Sequence, residues 1–218
     1  FLIEDSAQAL TCKINNKYLG TIGLAGIFSF QESKNIMTGE GGMVITNEKE
    51  IAYRLRLIRN HGESMVFKDL DDQKRIETAL GYNFRLPEIL AAVGYAQIKK
   101  AKIINKIRLK NYDILKLSLE KYDFINFQKI TNDEDGFYPY HVGLIYDGKK
   151  LNINRDIFVK ALIAEGIPLT KGFPRTLNEN LFFKNEEEFP NAKKMNYETY
   201  IGLLTIGYPN GKKEMSKI

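Results

Sequence analysis

The sequence predicts an α/β fold, and three observations carry that expectation. Apolar runs rich in β-branched and aromatic residues, at 1–4, 27–30 and 43–46, recur between turn signals as strands do. A longer segment opening at Pro87 carries apolar residues at mostly three- or four-residue steps, the spacing of a helix. Beyond residue 120 both patterns return over a shorter stretch. At 218 residues and 44% hydrophobic content the chain can bury a sizeable core and has room for one or two domains. The expected division places 1–120, including the long helix, in a larger domain and 121–218 in a smaller α/β domain.

Taken in order, Phe1-Leu2-Ile3 opens the first strand, with the acidic pair Glu4-Asp5 at its carboxyl end. Ile27-Phe28-Ser29-Phe30 has the content of a buried strand. Gly39, Gly41 and Gly42 then punctuate the chain before a further strand, Met43-Val44-Ile45-Thr46. Asn47 suits the N-cap of the next helix, with Glu48 and Glu50 near its positive end and Arg54, Arg56 and Arg59 toward the other. Ile51, Leu55 and Ile58 would form its apolar face, and Gly62 can take the left-handed conformation that closes it. His61, beside that glycine, reads first as a residue finishing the helix, with proximity to a ligand as the alternative.

Pro87 suits the first turn of a helix running through Glu88 to about Leu119. Its apolar positions are Ile89, Ala92, Val93, Ala96, Ile103, Ile107 and Ile114, and Lys99, Lys100, Lys102, Lys106 and Lys110 make a solvated face. A strand at 138–146 contains His141, readable as structural or as the wall of a pocket. Asp147-Gly148 follows, then a helix from about Arg155 to Glu165 closed by Gly166, and a last strand from Ile201 to Tyr208.

Composition narrows the function classes. The net charge of +5 comes from 32 basic and 27 acidic residues that interleave, which is a soluble surface with no nucleic-acid footprint. One cysteine, Cys12, allows neither an internal disulfide nor a cysteine-based zinc cluster, and no metal site is expected. No run is long and apolar enough to span a membrane, and the start has no signal-peptide pattern, so the expected compartment is the cytoplasm.

The most informative run joins an apolar strand to a glycine-rich turn with Lys34 between them. A lysine forms a useful Schiff base when it is held rigidly, partly desolvated and able to lose its proton, and a loop at a strand end offers that setting. A pyridoxal phosphate (PLP) site also needs a carboxylate beside the pyridine nitrogen. Asp5, at the end of the first strand, is the candidate, because strands of a parallel sheet deliver their ends to one edge. Plainer readings exist for each residue: a solvated surface lysine, an Asp5 capping a helix begun at Ser6, a glycine hairpin turn. The glycines match neither the phosphate-loop pattern nor the Gly-x-Gly-x-x-Gly fingerprint.

Six segments together carry a family resemblance. They are Glu4-Asp5-Ser6-Ala7-Gln8, Phe28-Ser29-Phe30 through Lys34-Asn35, Thr38-Gly39-Glu40-Gly41-Gly42, Arg59-Asn60-His61-Gly62, Gly81-Tyr82-Asn83-Phe84-Arg85 and Ala91-Ala92-Val93-Gly94. In order and spacing the chain resembles the DegT/DnrJ/EryC1/StrS aminotransferases. The resemblance implies the PLP-dependent transferase fold type I, aspartate aminotransferase-like, with part of the large domain and a smaller C-terminal α/β domain. It implies pyridoxal 5'-phosphate as cofactor, Lys34 as the Schiff-base lysine and Asp5 as partner of the pyridine nitrogen. Gln8 would lie near the phenolic oxygen, and Ser29 would donate to the phosphate. Asn83 would reach the phosphate of a neighbouring subunit, making a homodimer with shared sites. The implied reaction moves an amino group, commonly from glutamate, onto a keto-sugar, usually nucleotide-linked.

The same resemblance sets out departures and competitors. Leu24 stands where the family often has Asp, and Thr11-Cys12-Lys13 replaces a small, glycine-containing stretch. The chain opens at Phe1 inside a strand and resembles roughly the last three-fifths of the family, so an N-terminal part is expected to precede it. The Gly172-Phe173-Pro174-Arg175 turn lies where the family varies its substrate contacts, and Arg175 is either a surface residue or a phosphate ligand. The competing readings are a PLP-dependent sugar dehydratase, in which histidine typically replaces the lysine, and a non-catalytic truncated family member.

Overall fold

A computed structural model describes residues 1–63, 80–129, 136–180, 182, 188–203, 206–207 and 209–218. It forms two compact units. The first covers Phe1–Ala101 and includes Gly136; the second covers the rest of the described chain from Lys102 onward. The divide falls at the start of a helix, whereas the sequence placed the boundary after residue 120.

In the first unit, β1 (Ile3–Asp5) leads to a small hairpin of β2 (Lys13–Ile14) and β3 (Lys17–Tyr18). Asn15 and Asn16 join the hairpin at φ 50° and 61°, the two positive values that a tight primed turn requires and that asparagine tolerates. β4 (Ala25–Ser29) and β5 (Gly42–Ile45) complete a sheet of order β1-β4-β5. β1 runs parallel to β4 with Asp5 opposite Ile27, and β5 runs antiparallel with Gly42 opposite Ser29. The carboxyl ends of β1 and β4 therefore meet the amino end of β5 at one edge. A Cβ at Gly26 would lie 2.1 Å from the Gly20 carbonyl oxygen, so only glycine lets the chain at Gly20 cross β4 so closely.

Helix α1 (Lys49–Arg59) begins one residue later than expected. Glu48 holds the N-cap position without a side-chain cap, and its N–H goes instead to the Thr46 hydroxyl at 3.1 Å. The buried face is also shifted: Tyr53 and Leu57 turn inward, whereas Ile58 is exposed and Ile51 and Leu55 are half-buried. The larger tyrosine ring, four residues from Leu57, sets that face in place of the isoleucines. Gly62, at φ 79°, closes the helix by donating to the Leu57 carbonyl at 2.8 Å, the expected terminator.

The long helix expected from Pro87 is two helices, α2 (Glu88–Ile98) and α3 (Ala101–Leu119), interrupted at Lys99-Lys100. The reason lies in their faces. α2 is apolar nearly all round and buries no residue, leaving Ile89 and Tyr95 exposed among the described residues. α3 has one buried stripe, Ala101, Asn105, Arg108, Tyr112, Leu115 and Leu119, while Ile103 faces water. Pattern reading by hydrophobicity missed this stripe because half of its upper part is polar. Arg108 is satisfied by the carbonyls of Pro139, at 2.7 Å, and Tyr140, and burial lowers its guanidinium to about 10. Asn111 donates to the carbonyls of Ile206 and Asn210 at 2.8 and 2.9 Å.

The second unit continues with β6 (Ile125–Phe127), β7 (Val142–Tyr146), α4 (Gly148–Leu151), α5 (Arg155–Ala164) and β8 (Leu169–Thr170). It ends with α6 (Pro190–Lys194), a single wide turn at Met195–Thr199, β9 (Tyr200–Leu203) and α7 (Lys212–Met215). The sheet order is β6-β7-β9-β8, antiparallel throughout. Alternation decides the faces: Val142, Leu144 and Tyr146 of β7 and Ile201 and Leu203 of β9 enter the core, with Tyr112, Leu115 and Leu119 of α3 and Val159 of α5. Each such side chain contributes about 1.5–3 kcal/mol by burial, and among the described residues this is the larger of the buried hydrophobic clusters. β7 starts at Val142, and Tyr138 to His141 form an irregular lead-in; the described part of the last strand ends at Leu203, with Tyr208 outside the described residues. No helix among the described residues is long and apolar enough to cross a membrane.

Candidate functional site

The shared edge of β1, β4 and β5 is built by loop closures. Glu4, the residue beside Asp5, accepts three backbone N–H groups: Gly20 on Oε2 at 2.7 Å, Ile22 and Gly23 on Oε1 at 2.7 and 2.6 Å. These bonds, that from Gly23 above all, hold its carboxyl below the ordinary value. Glu4 thus clamps the incoming chain onto β1 and leaves Asp5 as the outward member of the pair. The sequence showed the pair but gave no way to divide the labour.

Asp5 is exposed, and its Oδ1 accepts the Ala7 N–H at 3.1 Å. This is the capping contact of the plainer reading, made on a turn instead of a regular helix. A carboxylate has further acceptor capacity, so that bond leaves Asp5 able to take another donor. Ser6 is buried, with its N–H on the Ile27 carbonyl at 2.9 Å, which ties the end of β1 to β4. Gln8 is exposed on the turn that follows. Ser29 ends β4 half-buried, its hydroxyl accepting the Gln31 N–H at 3.4 Å.

The Lys34 loop is fixed at both ends. Phe30 N–H reaches the Gly41 carbonyl at 2.8 Å, and Thr38 N–H reaches the Phe30 carbonyl at 2.9 Å. Inside, Gln31 to Lys34 make a tight turn, with Lys34 N–H on the Gln31 carbonyl at 2.9 Å. Gln31 Oε1 accepts both the N–H and the hydroxyl of Ser33, at 2.9 and 2.5 Å. Buried Ile36 and Thr38 pin the return, and the Thr38 hydroxyl donates to the Glu40 carbonyl at 2.7 Å. Lys34 therefore has a constrained backbone and a half-buried side chain at the sheet edge. Next to it, Asn35 Oδ1 is buried and lacks a hydrogen-bond partner among the described residues. A buried acceptor left open beside a lysine is the kind of group a ligand satisfies.

Asp5 and Ser29 thus stand at adjacent strand ends, with Lys34 on the loop leaving that edge. Asn83 lies on a segment strapped to the end of α1. His61 N–H goes to Tyr82 O at 3.0 Å, Tyr82 N–H to Ile58 O at 2.7 Å, and Phe84 N–H to Arg59 O at 3.0 Å. Arg85 Nη1 donates to the buried Asn60 Oδ1 at 2.7 Å. A Cβ at Gly81 would lie 2.0 Å from Gly62 N, so two glycines permit this approach. Asn83 itself is exposed, and no hydrogen bond among the described residues joins it to the strand-end group. His61, at φ 58° and exposed, serves this junction through its backbone. In the second unit, His141 Nε2 meets the Tyr200 hydroxyl at 2.8 Å.

The donor set at the strand edge fits PLP: a carboxylate with spare acceptor capacity, a hydroxyl at the neighbouring strand end, and a lysine on a fixed turn beside an open acceptor.

The family profile described as the DegT/DnrJ/EryC1/StrS aminotransferase family matches residues 1–203. The chain is 34% identical over 139 residues to the UDP-4-amino-4,6-dideoxy-N-acetyl-beta-L-altrosamine transaminase of Helicobacter pylori, covering 64% of this chain and 33% of that protein. It is 33% identical over 199 residues to the GDP-4-keto-6-deoxy-D-mannose 3-dehydratase of Yersinia pseudotuberculosis, covering 86% and 48%. Among solved structures it is similar to the aminotransferase TlmJ from Streptoalloteichus hindustanus, with TM-score 0.83 at 21% identity over 99% of this chain and 56% of that one. At that identity the likeness establishes the fold, that of the type I PLP-dependent transferases. The chain spans about half the length of that dehydratase and of that solved aminotransferase.

Proposed function

The chain belongs to the DegT/DnrJ/EryC1/StrS aminotransferase family, and from that premise we propose that the whole protein is a PLP-dependent aminotransferase acting on a nucleotide-linked keto-sugar, with glutamate as the amino donor. The observation that carries the reading is the convergence of Asp5 and Ser29 on one sheet edge with Lys34 on the rigid turn leaving it. When bound, PLP supplies an electron sink for the carbon that loses and gains the amino group.

The chain's own residues do the rest. Asp5, free to accept a further donor, holds a proton on the pyridine nitrogen. Ser29 donates its hydroxyl to the phosphate, and Gln8 borders the phenolic oxygen. Lys34 Nζ would hold the cofactor and would be the base that takes the proton from the α-carbon of the amino donor. In the reverse half it returns a proton to the sugar carbon that receives nitrogen. Asn83, exposed on its strapped segment, completes the site of a second copy in a cytoplasmic homodimer.

The dehydratase reading has a relative of similar identity behind it. Lys34 stands where such an enzyme would carry histidine, which favours amino transfer. The product decides. With PLP, glutamate and a UDP- or GDP-linked 4-keto-6-deoxy sugar, mass spectrometry should show the amino-sugar and stoichiometric 2-oxoglutarate. A deoxygenated keto-sugar lacking nitrogen would overturn the aminotransferase reading.

A further inference from the structure

The end of β1 is tied through side chains as well as through its backbone, and the ties fall on either side of Asp5. β1 is only three residues long, and a strand that short has few ladder bonds to fix its last residue. After Asp5, the Ser6 N–H reaches the Ile27 carbonyl at 2.9 Å. Before it, the Glu4 carboxylate gathers the N–H groups of Gly20, Ile22 and Gly23 at 2.7, 2.7 and 2.6 Å. An ionised carboxylate offers about four acceptor sites on its two oxygens, so it can hold three donors at once where a neutral side chain of this length holds fewer.

The segment that Glu4 grips is itself held from other directions. A Cβ at Gly20 would lie 2.3 Å from Cζ of Phe28, so the chain there lies against a buried ring of β4. The Leu24 N–H goes to the Leu2 carbonyl at 2.8 Å, and the Leu24 carbonyl accepts the Thr46 hydroxyl at 2.7 Å. The anchor thus bears on β1, β4 and the residue that follows β5, and Glu4 fastens the strand to it one position before Asp5. Asp5 Oδ1 in turn accepts the Ala7 N–H at 3.1 Å, which leaves Oδ2 for an outside donor.

We infer that Glu4 is a positioning residue for the cofactor: its clamp sets the place of Asp5 at the strand edge, so that the Asp5 carboxylate meets the ring nitrogen of PLP in hydrogen-bonding alignment. A charge-assisted N–H···O contact weakens steeply as angle and distance drift, and a group that makes one has to be held within about 0.5 Å. Glu4 commits both of its oxygens to backbone N–H groups, so it does not compete with Asp5 for the ring. The inference rests on the cofactor contact of Asp5 in the proposed function and adds the residue that holds it in place.

Binding of PLP is compared, on the whole protein, with binding of the analogue that has C–H in place of the ring nitrogen and so offers Asp5 no donor. The parent should hold PLP about ten-fold or more tightly than the analogue, the difference being one charge-assisted hydrogen bond. Asp5→Asn should remove most of that preference. Glu4→Ala should cut it by about three-fold or more while the far-UV circular dichroism stays that of the parent. Glu4→Gln, which keeps one carbonyl acceptor for Ile22 and Gly23, should fall between the two. With PLP isotopically labelled at the ring nitrogen, its chemical shift should move from the protonated toward the neutral range in the same order. Equal weakening of PLP and analogue in Glu4→Ala would make Glu4 a structural tie alone and overturn the inference. Loss of the preference in Asp5→Asn with full preference in Glu4→Ala would also overturn it, and would leave the cofactor contact of Asp5 standing. Equal affinity of the parent for both compounds would bring down that contact and the inference together. Should Glu4→Ala fail to fold, Glu4→Gln decides by the same ratio, and an undiminished preference there sinks the inference.

Discussion

Replacing Arg155 with alanine should cost the second unit about 3–4 kcal/mol, because its buried guanidinium bonds the backbone carbonyls of Lys171, Asn196 and Tyr200. Arg155 is 5% exposed at the first turn of α5. Its Nη1 faces three carbonyls, Lys171 at 3.0 Å, Asn196 at 2.8 Å and Tyr200 at 3.1 Å. One nitrogen carries two hydrogens, so at most two full bonds are made at a time, each worth about 1.5–3 kcal/mol when the donor is charged. Truncation leaves those carbonyls facing a cavity that water refills in part, which brings the loss below the sum. Asp156, bonded at 2.8 and 2.9 Å, is half exposed, and that pair adds about 0–1 kcal/mol.

Urea unfolding followed by far-UV circular dichroism measures the loss, and scanning fluorimetry should show a melting decrease on the order of 10 °C. Arg155→Lys should recover less than half, since a point ammonium cannot span the same carbonyls. Asp156→Asn should shift stability by under about 1 kcal/mol. A melting change under about 2 °C for Arg155→Ala would refute the reasoning, by showing that the three carbonyls are content with water.

Two further changes follow from the same kind of geometry. Glu179 has its carboxyl lowered from 4.5 to about 2 by the Tyr197 and Thr176 hydroxyls and the Thr176 N–H. A depressed carboxyl stabilises the fold above its unfolded value and loses that contribution as pH falls toward 2. Glu179→Gln should therefore flatten the fall in stability between pH 4.5 and 2, and superimposable acid melts would contradict it. Gly26→Ala should loosen the first unit, since the new methyl meets the Gly20 carbonyl at 2.1 Å and backbone must move; hydrogen exchange at Gly20, Ile22 and Gly23 should quicken, and unchanged protection would show that the crossing is not tight.

Much of the first unit's site edge was legible in the sequence because strand ends and glycine turns are local signals. The Lys34 loop and the Gly62 helix end stand where the sequence put them, and the strand expected at 27–30 is β4, which begins two residues earlier and spans Ala25–Ser29. What escaped was set by tertiary contacts. The buried face of α3 contains Asn105, Arg108 and Asn111, the last two bonded to carbonyls as many as 99 residues away, so hydrophobic periodicity chose the wrong face and ran α2 into α3. Tyr53 and Leu57 displaced the isoleucine face of α1 for a similar reason. Glu4 and Asp5 look alike in sequence, and only the crossing chain at Gly20 to Gly23 makes one a clamp. Asn83 shows the limit from the other side: its motif was readable, but its proposed partner lies on another copy.

Borohydride trapping shows directly whether Lys34 carries the cofactor. The protein is mixed with PLP, its visible spectrum recorded, then reduced, digested and mapped by mass. The expected result is a visible band and a phosphopyridoxyl adduct on the Lys34 peptide, both lost in Lys34→Ala. An adduct on other lysines, undiminished in Lys34→Ala, would contradict the account.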